Sequence, residues 1–281
     1  MTGPKIAMLG LGSMNGAILT GLLSSGVSPE QVVATSRSSE SAQRRSQHYG
    51  VQVLAEENDD AANRTAAAQA EIVFLGVKPY QITDLCAGIK DALKPGAVVV
   101  SVAAAVTLEM MEAALAEGQP VIRTMPNTPL SVGAGVVGLS AGTHTSQQQV
   151  ELVAELLGAS GSVHVIPEEQ IDALSAIAGS GPAYAFYLAE QMAAAGAELG
   201  LDPELAAGLA AETIYGAGKM LLENQGKADA AQLRRNVTSP NGTTEQAIST
   251  FDAADMGQTI RAGAAAAAAR AAEITGQLRG Q

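Results

Sequence analysis

Along the first 165 or so residues, short apolar segments alternate with segments whose apolar positions repeat at helical spacing. The apolar segments are rich in Val and Ile and largely lack alternate polar positions, which is typical of strands buried on both faces. This alternation predicts an α/β fold with a parallel, doubly wound sheet. We expect strands at Lys5–Leu9, Gln31–Thr35, Val51–Val53, Ile72–Gly76, Ala97–Val102 and Val121–Thr124, with two more near Gly135–Leu139 and Val163–Ile166. We expect helices near Asn15–Ser25, Glu40–Tyr49, Asp59–Ala70, Tyr80–Leu93, Leu108–Leu115 and Ser146–Leu157.

The strand pattern stops after Pro167, and the rest of the chain predicts helices only. We therefore predict an α/β domain over residues 1–166 and an all-α domain over residues 167–281. The alanine-rich stretch 263–272 is expected to form a packed helix at a subunit interface, because alanine is the strongest helix former and allows close approach. A low-complexity tail is the alternative. The breaks between helices are expected at Gly179–Pro182, Gly200–Pro203 and Ser239–Gly242.

Composition narrows the classes of function. The chain has 16 Lys+Arg against 28 Asp+Glu, a formal net charge of −12, which argues against a general nucleic-acid binder. The single cysteine, Cys86, excludes an internal disulfide framework and is expected to be a buried structural thiol. No apolar run reaches the ~20 residues of a membrane span, and no clear signal-cleavage site follows the first strand, so we expect a cytoplasmic protein. We expect no metal site, because three histidines far apart in the sequence lack ligand spacing: His48, His144 and His164.

The loop after the first strand predicts a dinucleotide-binding turn. Gly10 permits a tight turn, and Gly12 lets the backbone approach a pyrophosphate at the N-terminus of the next helix. The third position of the fingerprint favours Gly or Ala, whereas Asn15 stands here. A glycine-rich turn without a ligand is the alternative.

The end of the second strand indicates which dinucleotide binds. An NAD-binding strand usually ends in Asp or Glu, but this one reads Thr35-Ser36-Arg37-Ser38. Hydroxyl groups and an arginine suit a 2′-phosphate, so we predict NADP(H). The alternative is that Arg37 is a solvated charge and Ser38 a helix cap. Ligands of open α/β sheets lie beyond the carboxyl ends of the strands, so Val77-Lys78-Pro79 and Ala103–Ala105 should also line the cofactor.

Four further stretches together resemble the pyrroline-5-carboxylate reductases, the NAD(P)H-dependent enzymes that make proline. The resemblance extends in order over nearly the whole chain. The stretches are Val77-Lys78-Pro79, Arg123 to Pro129, Ser175 to Tyr184 and Val237 to Thr244.

The resemblance implies an N-terminal Rossmann-type domain and a C-terminal helical domain that dimerises through interlocking helices, with dimers that assemble further into rings of five. It implies reduction of 1-pyrroline-5-carboxylate to L-proline with NADPH, NADH being a possible second cofactor, and no membrane or nucleic-acid partner. Ser175 matches a proposed hydroxyl donor, and the substrate carboxylate is expected at Ser239, Thr243 and Thr244. The matched cofactor-binding residues are Leu9, Gly10, Leu11, Gly12, Ser13, Met14, Ser36, Arg37, Ser38, Asn63, Val77, Lys78, Pro79, Ala104, Met125, Pro126, Asn127 and Asn236.

The predicted chemistry needs little from the protein beyond orientation, because a protonated imine is already a good electrophile. Thr243 and Gln246 fit a capping box, which predicts Thr243 as the N-cap of a helix whose free N–H groups face the carboxylate. An ordinary capped helix is the alternative. Asn241 replaces the first of the family's paired glycines, and it tolerates positive φ better than most residues. Ser175 either donates to the ring nitrogen or bonds back to a helix carbonyl.

Two other functions remain open from the residues alone. A β-hydroxyacid dehydrogenase has a related architecture and uses a lysine on a helix of the second domain, for which Lys219 and Lys227 are the candidates. A non-catalytic NADP(H) sensor would bind cofactor but would have little reason to keep a hydroxyl-rich anion loop.

Overall fold

The computed structural model describes residues 3–279, and it confirms all eight predicted strands. They form one sheet in the order β3-β2-β1-β4-β5-β6-β7-β8. The bounds are β1 Ile6–Leu9, β2 Val32–Ser36, β3 Gln52–Ala55, β4 Ile72–Leu75, β5 Val98–Ser101, β6 Val121–Pro126, β7 Gly135–Ala141 and β8 Gly161–Val165.

The first six strands are parallel, as expected, but β7 runs antiparallel to β6. The expectation of a wholly parallel sheet was wrong at this edge. Only residues 127–134 link β6 to β7, and a parallel crossover needs a dozen or more residues. β8 then lies parallel to β7, after a connection that contains a helix.

Helices cover both faces of the sheet, so alternate residues of the central strands enter two separate cores. Ile6 and Met8 of β1 pack into one core, while Ala7 and Leu9 pack into the other. This arrangement explains why the strands read as continuous apolar runs. The helices of this region are α1 Ser13–Ser24, α2 Ser39–Tyr49, α3 Ala62–Gln69, α4 Ile82–Ile89, α5 Leu108–Ala114 and α6 Gln147–Gly158.

The helix expected over Tyr80–Leu93 is shorter than predicted. Pro79 opens a 3₁₀ turn over Pro79–Gln81, and α4 begins only at Ile82. After Ile89 the chain tightens into a turn in which Ala92 donates its N–H to the Ile89 carbonyl oxygen. The remaining helices of the first domain lie within a few residues of their expected bounds.

The chain divides into two compact units, one formed by residues through Gly179 together with the chain from Ala267 onward, and the other by Ser180–Ala266. Residues 167–179, which the sequence pattern assigned to the helical domain, therefore pack with the sheet. They form the short helix α7, Ile171–Leu174, and a π-helical turn, Ser175–Gly179. The outer ends of the two predicted domains, at residues 1, 2, 280 and 281, lie outside the described residues.

The second unit is helical throughout, as predicted. Its first two helices form a hairpin in which Asp202 caps the second helix, accepting the N–H groups of Glu204 and Leu205. Breaks occur at all three expected places, with two more after Glu223 and Ala253. The alanine-rich stretch is helical, as expected. The helices are α8 Gly181–Glu198, α9 Pro203–Glu223, α10 Ala230–Asn236, α11 Thr243–Ala253 and α12 Met256–Arg279, of which the last spans both units.

Large apolar side chains of the helical unit are exposed in the single chain. Phe186, Tyr187 and Tyr215 are 68%, 64% and 74% exposed, whereas the buried apolar residues of this unit are Ala206 and Ala210. So much aromatic surface is unusual on a monomer and indicates contact with another protein surface. No helix within residues 3–279 is both long and apolar enough to cross a membrane.

Candidate active site at the carboxyl edge of the sheet

The glycine loop connects β1 to α1 and leads into a helix start whose first backbone donors are free. Gly10 has a φ of 76°, and a β-carbon there would lie 2.7 Å from Cγ1 of Val77, so the turn requires glycine. The N–H groups of Leu11 and Gly12 donate to carbonyl oxygens within the fold. Helix α1 begins at Ser13 without a side-chain cap, which leaves its first N–H groups available to an anion.

Asn15 occupies the third position of the glycine fingerprint without disrupting the loop. Its side chain is fully buried, and its Nδ2 donates to the carbonyl oxygens of Gly10 at 3.2 Å and Leu9 at 3.4 Å. The side chain fits because Gly76 has no β-carbon to meet it. Its Oδ1 has no hydrogen-bond partner among the described residues.

The predicted phosphate-binding residues lie where β2 meets α2. Ser36 is buried at the end of the strand, and Arg37 is exposed and has no ion pair among residues 3–279. Ser38 caps α2 by accepting the N–H of Ser41, yet its O–H remains able to donate. The Ser39 hydroxyl lowers the pKa of the Glu57 carboxyl, and so does the Ser39 N–H, the first of α2, which donates to Glu57. A phosphate is therefore expected at Arg37 and Ser36 and not at the N-terminus of α2.

Asn63 is joined to the glycine loop through one threonine. The Thr35 hydroxyl accepts the N–H of Gly10 at 2.9 Å and donates to Oδ1 of Asn63 at 2.7 Å. This chain places Asn63, on α3, beside the ends of β1 and β2 and leaves its amide N–H groups for a ligand. The ribose contact that the resemblance implied for Asn63 stays a prediction.

Two further arginines, which the sequence analysis did not select, lie beside the loop. A cleft of about 360 Å³ is lined by Gly12, Ser13, Arg44, Arg45, His48 and Tyr49. Arg45 Nε donates to the Ser41 hydroxyl, on the same side of α2 as Ser38. The sequence signal was a consecutive arginine pair in a chain of net charge −12, but only the structure shows that this side of α2 faces α1.

The loops after β4 and β5 complete the edge. Val77 packs against Gly10, Pro79 begins a 3₁₀ turn, and Lys78 and Ala104 are exposed. Ala105, buried next to Ala104, has a φ of 65°, which is uncommon for a residue other than glycine. Both loops lie where ligands of open α/β sheets bind.

The end of β6 meets the π-helical turn that contains Ser175. Asn127 donates from Nδ2 to the Ala178 carbonyl oxygen at 2.9 Å. A β-carbon on Gly179 would lie 2.8 Å from Cε of Met125 and 3.2 Å from Oγ of Ser175. Met125, Asn127 and Ser175 were all selected from the sequence, and the structure brings them together. Pro126, between them, is buried at the last position of β6.

Ser175 is half-buried, and its hydroxyl has no hydrogen-bond partner among residues 3–279. The alternative of a serine that bonds back to a helix carbonyl is therefore not what the structure has. A hydroxyl that is only half-buried and is unpaired can donate to a ligand. π-helical turns of this kind are frequent at functional sites.

The predicted carboxylate-binding turn lies in the helical unit, between α10 and α11. Asn241 has a φ of 58°, so asparagine does take the left-handed conformation expected there. The predicted capping box was wrong. Gly242, not Thr243, is the N-cap of α11. The Glu245 carboxylate accepts the N–H of Asn241, the residue before this N-cap, at 2.7 Å. Of the other predicted residues, Ser239 and Thr243 are exposed and Thr244 is half-buried. Asn236 is the last residue of α10, and its Oδ1 accepts a hydrogen bond from Nε2 of Gln232.

Other candidate groups lie away from any such arrangement. Lys219 pairs with Glu223 on an exposed face of α9, and Lys227 is also exposed, so neither resembles a buried catalytic lysine. The three histidines are exposed, and no cluster of three metal-ligating side chains occurs within residues 3–279. Cys86 is buried, as predicted.

Comparison with known proteins decides the family. Residues 168–274 match the family model of the pyrroline-5-carboxylate reductase dimerisation domain, and residues 5–105 match the NADP oxidoreductase, coenzyme F420-dependent family. A curated pyrroline-5-carboxylate reductase of Pseudomonas aeruginosa is 38% identical over 279 residues, covering 99% of both chains. The chain belongs to the pyrroline-5-carboxylate reductase family.

Solved structures agree with this membership in the family. A pyrroline-5-carboxylate reductase from Coxiella burnetii superposes with a TM-score of 0.89 at 36% identity, covering 96% of this chain and 98% of that one. A Plasmodium falciparum pyrroline carboxylate reductase, solved with NADP bound, shares the fold with a TM-score of 0.85 at 23% identity, covering 98% and 99%. The Rossmann-type sheet followed by a helical dimerisation domain is thus the architecture of the reductase family, and the protein is a homo-oligomeric, NADP-dependent oxidoreductase.

Proposed function

We propose that this protein reduces 1-pyrroline-5-carboxylate to L-proline with NADPH, the last step of proline biosynthesis, with NADH as a weaker alternative cofactor. The observation that carries the proposal is the unpaired Ser175 hydroxyl, held by Gly179 and the end of β6 at the carboxyl edge of a dinucleotide-binding sheet. Relatives of at least 33% identity that bear this enzyme's name support the reaction.

The residues present fit the cofactor. Free N–H groups at the start of α1 suit its pyrophosphate, and the exposed guanidinium of Arg37 suits its 2′-phosphate. Arg44 and Arg45 add positive charge to the cleft beside Gly12 and Ser13. Bound NADPH supplies hydride to the imine carbon. We propose Asn63 at the ribose and the loops at Val77 to Pro79, Ala104 and Met125 to Asn127 at the nicotinamide side.

The protein's own residues bind and orient the substrate. Ser175 donates its hydroxyl hydrogen to the lone pair of the neutral imine nitrogen. As hydride reaches the imine carbon, a proton passes along this bond to the nitrogen, and water returns a proton to the hydroxyl. Ser239, Thr243 and Thr244 donate hydroxyls, together with the free N–H groups at the start of α11, to the carboxylate. Asn236 lies at the end of α10, beside the turn to which these hydroxyls belong. Orientation of this kind accounts for rate enhancement without an acid–base dyad.

We further propose that the oligomer is a homodimer formed by the helical domain, 167–281, that five dimers assemble into a ring, and that the enzyme is cytoplasmic without membrane or nucleic-acid partners. The exposed aromatic side chains of α8 and α9 support an interface there. Light scattering of the purified protein measures its mass. Phe186→Asp, on this surface, should produce monomers, whereas a decamer that persists in this variant would place the interface elsewhere.

The activity is tested by following NADPH oxidation with 1-pyrroline-5-carboxylate and, in reverse, NADP reduction with 3-hydroxy acids. Turnover with the cyclic imine alone is expected. Turnover with 3-hydroxy acids would favour the dehydrogenase alternative, and tight NADPH binding without turnover of either substrate would favour a sensor. The exposed positions of Lys219 and Lys227 support the first outcome.

A further inference from the structure

One face of β6 carries three side chains that hold the segment 168–179. Arg123, Met125 and Asn127 alternate along the strand and its extension, so they point to the same side. Arg123 meets the start of the segment, while Met125 and Asn127 meet its end at Gly179 and Ala178. The π-helical turn with Ser175 lies between these two attachments.

Arg123 forms the first attachment through two carboxylates. Its Nη1 donates to Oε1 of Glu168 at 3.0 Å, and its Nη2 donates to Oδ1 of Asp172 at 3.5 Å. The same Glu168 oxygen accepts the Leu108 N–H at 2.8 Å, where α5 begins. Arg123 is 4% exposed, and a guanidinium buried in this way requires acceptors on the segment that covers it.

Helix α7 depends on such contacts for its orientation. It has four residues, Ile171–Leu174, and runs directly into the π-helical turn. One turn of helix is unstable alone, so tertiary contacts must set its rotation. Asp172 and Ser175 are three residues apart and therefore lie on neighbouring positions of one helix face. A fixed Asp172 carboxylate therefore restricts the rotation of the helical segment from which the Ser175 side chain projects.

We propose that Arg123 is a positioning residue of this reductase, which acts through Asp172 and Glu168 to set the direction of the Ser175 hydroxyl. The inference rests on the proposed role of Ser175 as hydrogen-bond donor. Apolar contacts retain the segment when the ion pair is lost, because Leu174 and Ile171 pack against Gly138 of β7. Loss of the pair should therefore misdirect the hydroxyl without unfolding the protein.

A double-mutant cycle on kcat separates positioning from general packing. The variants are Asp172→Ala, Ser175→Ala and the two combined, with Asp172→Asn as the conservative replacement that retains an acceptor for Arg123. Glu169→Ala is the matched control, because Glu169 is an exposed neighbouring acid without an ion pair among the described residues. Thermal unfolding and NADPH affinity of each protein are measured beside kcat.

We expect Asp172→Ala to lower kcat about tenfold when Ser175 is present. In the protein that already carries Ser175→Ala, the same change should lower kcat less than about twofold. NADPH affinity should stay unchanged in both cases. Asp172→Asn should restore part of kcat, and Glu169→Ala should leave it intact. Equal losses with and without the serine would overturn the proposal, as would a kcat for Asp172→Ala equal to that of the unaltered enzyme. Full activity of Ser175→Ala alone would reject the donor role of Ser175, and absence of turnover by the unaltered protein would reject the proposed function itself.

Discussion

Asn127 joins β6, the start of β7 and the π-helical turn through a single buried amide. Its Nδ2 donates to the Ala178 carbonyl oxygen at 2.9 Å, and its Oδ1 accepts the Val136 N–H at 2.8 Å. Asparagine is well suited to this position, because it supplies a donor and an acceptor on one rigid group. The residue selected from the sequence for cofactor binding thus also determines where the Ser175 turn lies.

Replacement of Asn127 by alanine should destabilise the fold and lower kcat together. The change leaves the Ala178 carbonyl and the Val136 N–H without partners, at a cost of about 1–3 kcal/mol for each buried group. Urea unfolding measures the loss. Ser131→Ala is the control, because it removes only an exposed bond from the Ser131 hydroxyl to the Thr128 carbonyl. If Asn127→Ala proved as stable as this control, water would be satisfying the two groups.

Gly179→Ala tests whether the space beside the Ser175 hydroxyl matters to the reaction. The added methyl group would lie 3.2 Å from Oγ of Ser175 and 2.8 Å from the flexible end of Met125. We expect kcat to fall about tenfold, with little change in the melting temperature because the methionine can move. Gly181→Ala, where a β-carbon has no neighbour within 4 Å, is the matched control. Equal kcat values in the two variants would show that the hydroxyl is not in use.

The sequence predicted the elements of the sheet because strands buried on both faces have a distinctive composition. In β1, for example, all four residues from Ile6 to Leu9 are buried and apolar. The strand therefore contains no polar residue that would suggest a turn. The direction of β7 was misjudged because local patterning is the same in parallel and antiparallel strands. Only the length of the connection, residues 127–134, distinguishes them.

The parts of the site that depend on a local backbone conformation could be predicted from the sequence. The parts that depend on contacts between distant residues could not. Gly10 and Asn241 have the positive φ angles that their residue types favour. The capping box failed because α11 begins one residue earlier than the motif requires, with Gly242 as its N-cap. The ion pairs of Arg123 join residues 45 and 49 positions apart, which no local pattern can indicate.

Arg37→Ala should weaken binding of NADPH more than binding of NADH, because only NADPH carries the 2′-phosphate that we assign to this arginine. Loss of one charge-assisted contact to phosphate corresponds to about a tenfold rise in the NADPH dissociation constant. Titration of cofactor fluorescence measures both constants. Arg270→Ala is the control, because Arg270 pairs with Glu273 on α12. If the dissociation constants of NADPH and NADH changed by the same factor, Arg37 would not be a ligand of the 2′-phosphate.

Thr244→Ala should raise the KM for 1-pyrroline-5-carboxylate severalfold and leave NADPH affinity unchanged. The half-buried hydroxyl of Thr244 is one of three that we assign to the substrate carboxylate. Thr250→Ala on the same helix is the matched control, because the Thr250 hydroxyl donates to the Gln246 carbonyl oxygen. If the KM stayed at the value of the unaltered enzyme, Thr244 would not bind the substrate, and the turn would be an ordinary helix start.

Cys86 predicts a loss of stability at alkaline pH. Burial raises the pKa of its thiol from an ordinary value near 9 to about 12. Between these pH values the unfolded chain loses a proton that the folded chain keeps. The contribution of Cys86 to the free energy of unfolding is therefore complete below pH 9. Above pH 9 it falls by about 1.4 kcal/mol per pH unit.

Because lysines and tyrosines also titrate in this range, the quantity to measure is the difference in unfolding free energy between the unaltered protein and Cys86→Ala. We expect that difference to shift against the unaltered protein by about 2 kcal/mol between pH 8 and pH 10.5. Parallel pH profiles for the two proteins would mean that the folded core tolerates a thiolate on the buried side of α4.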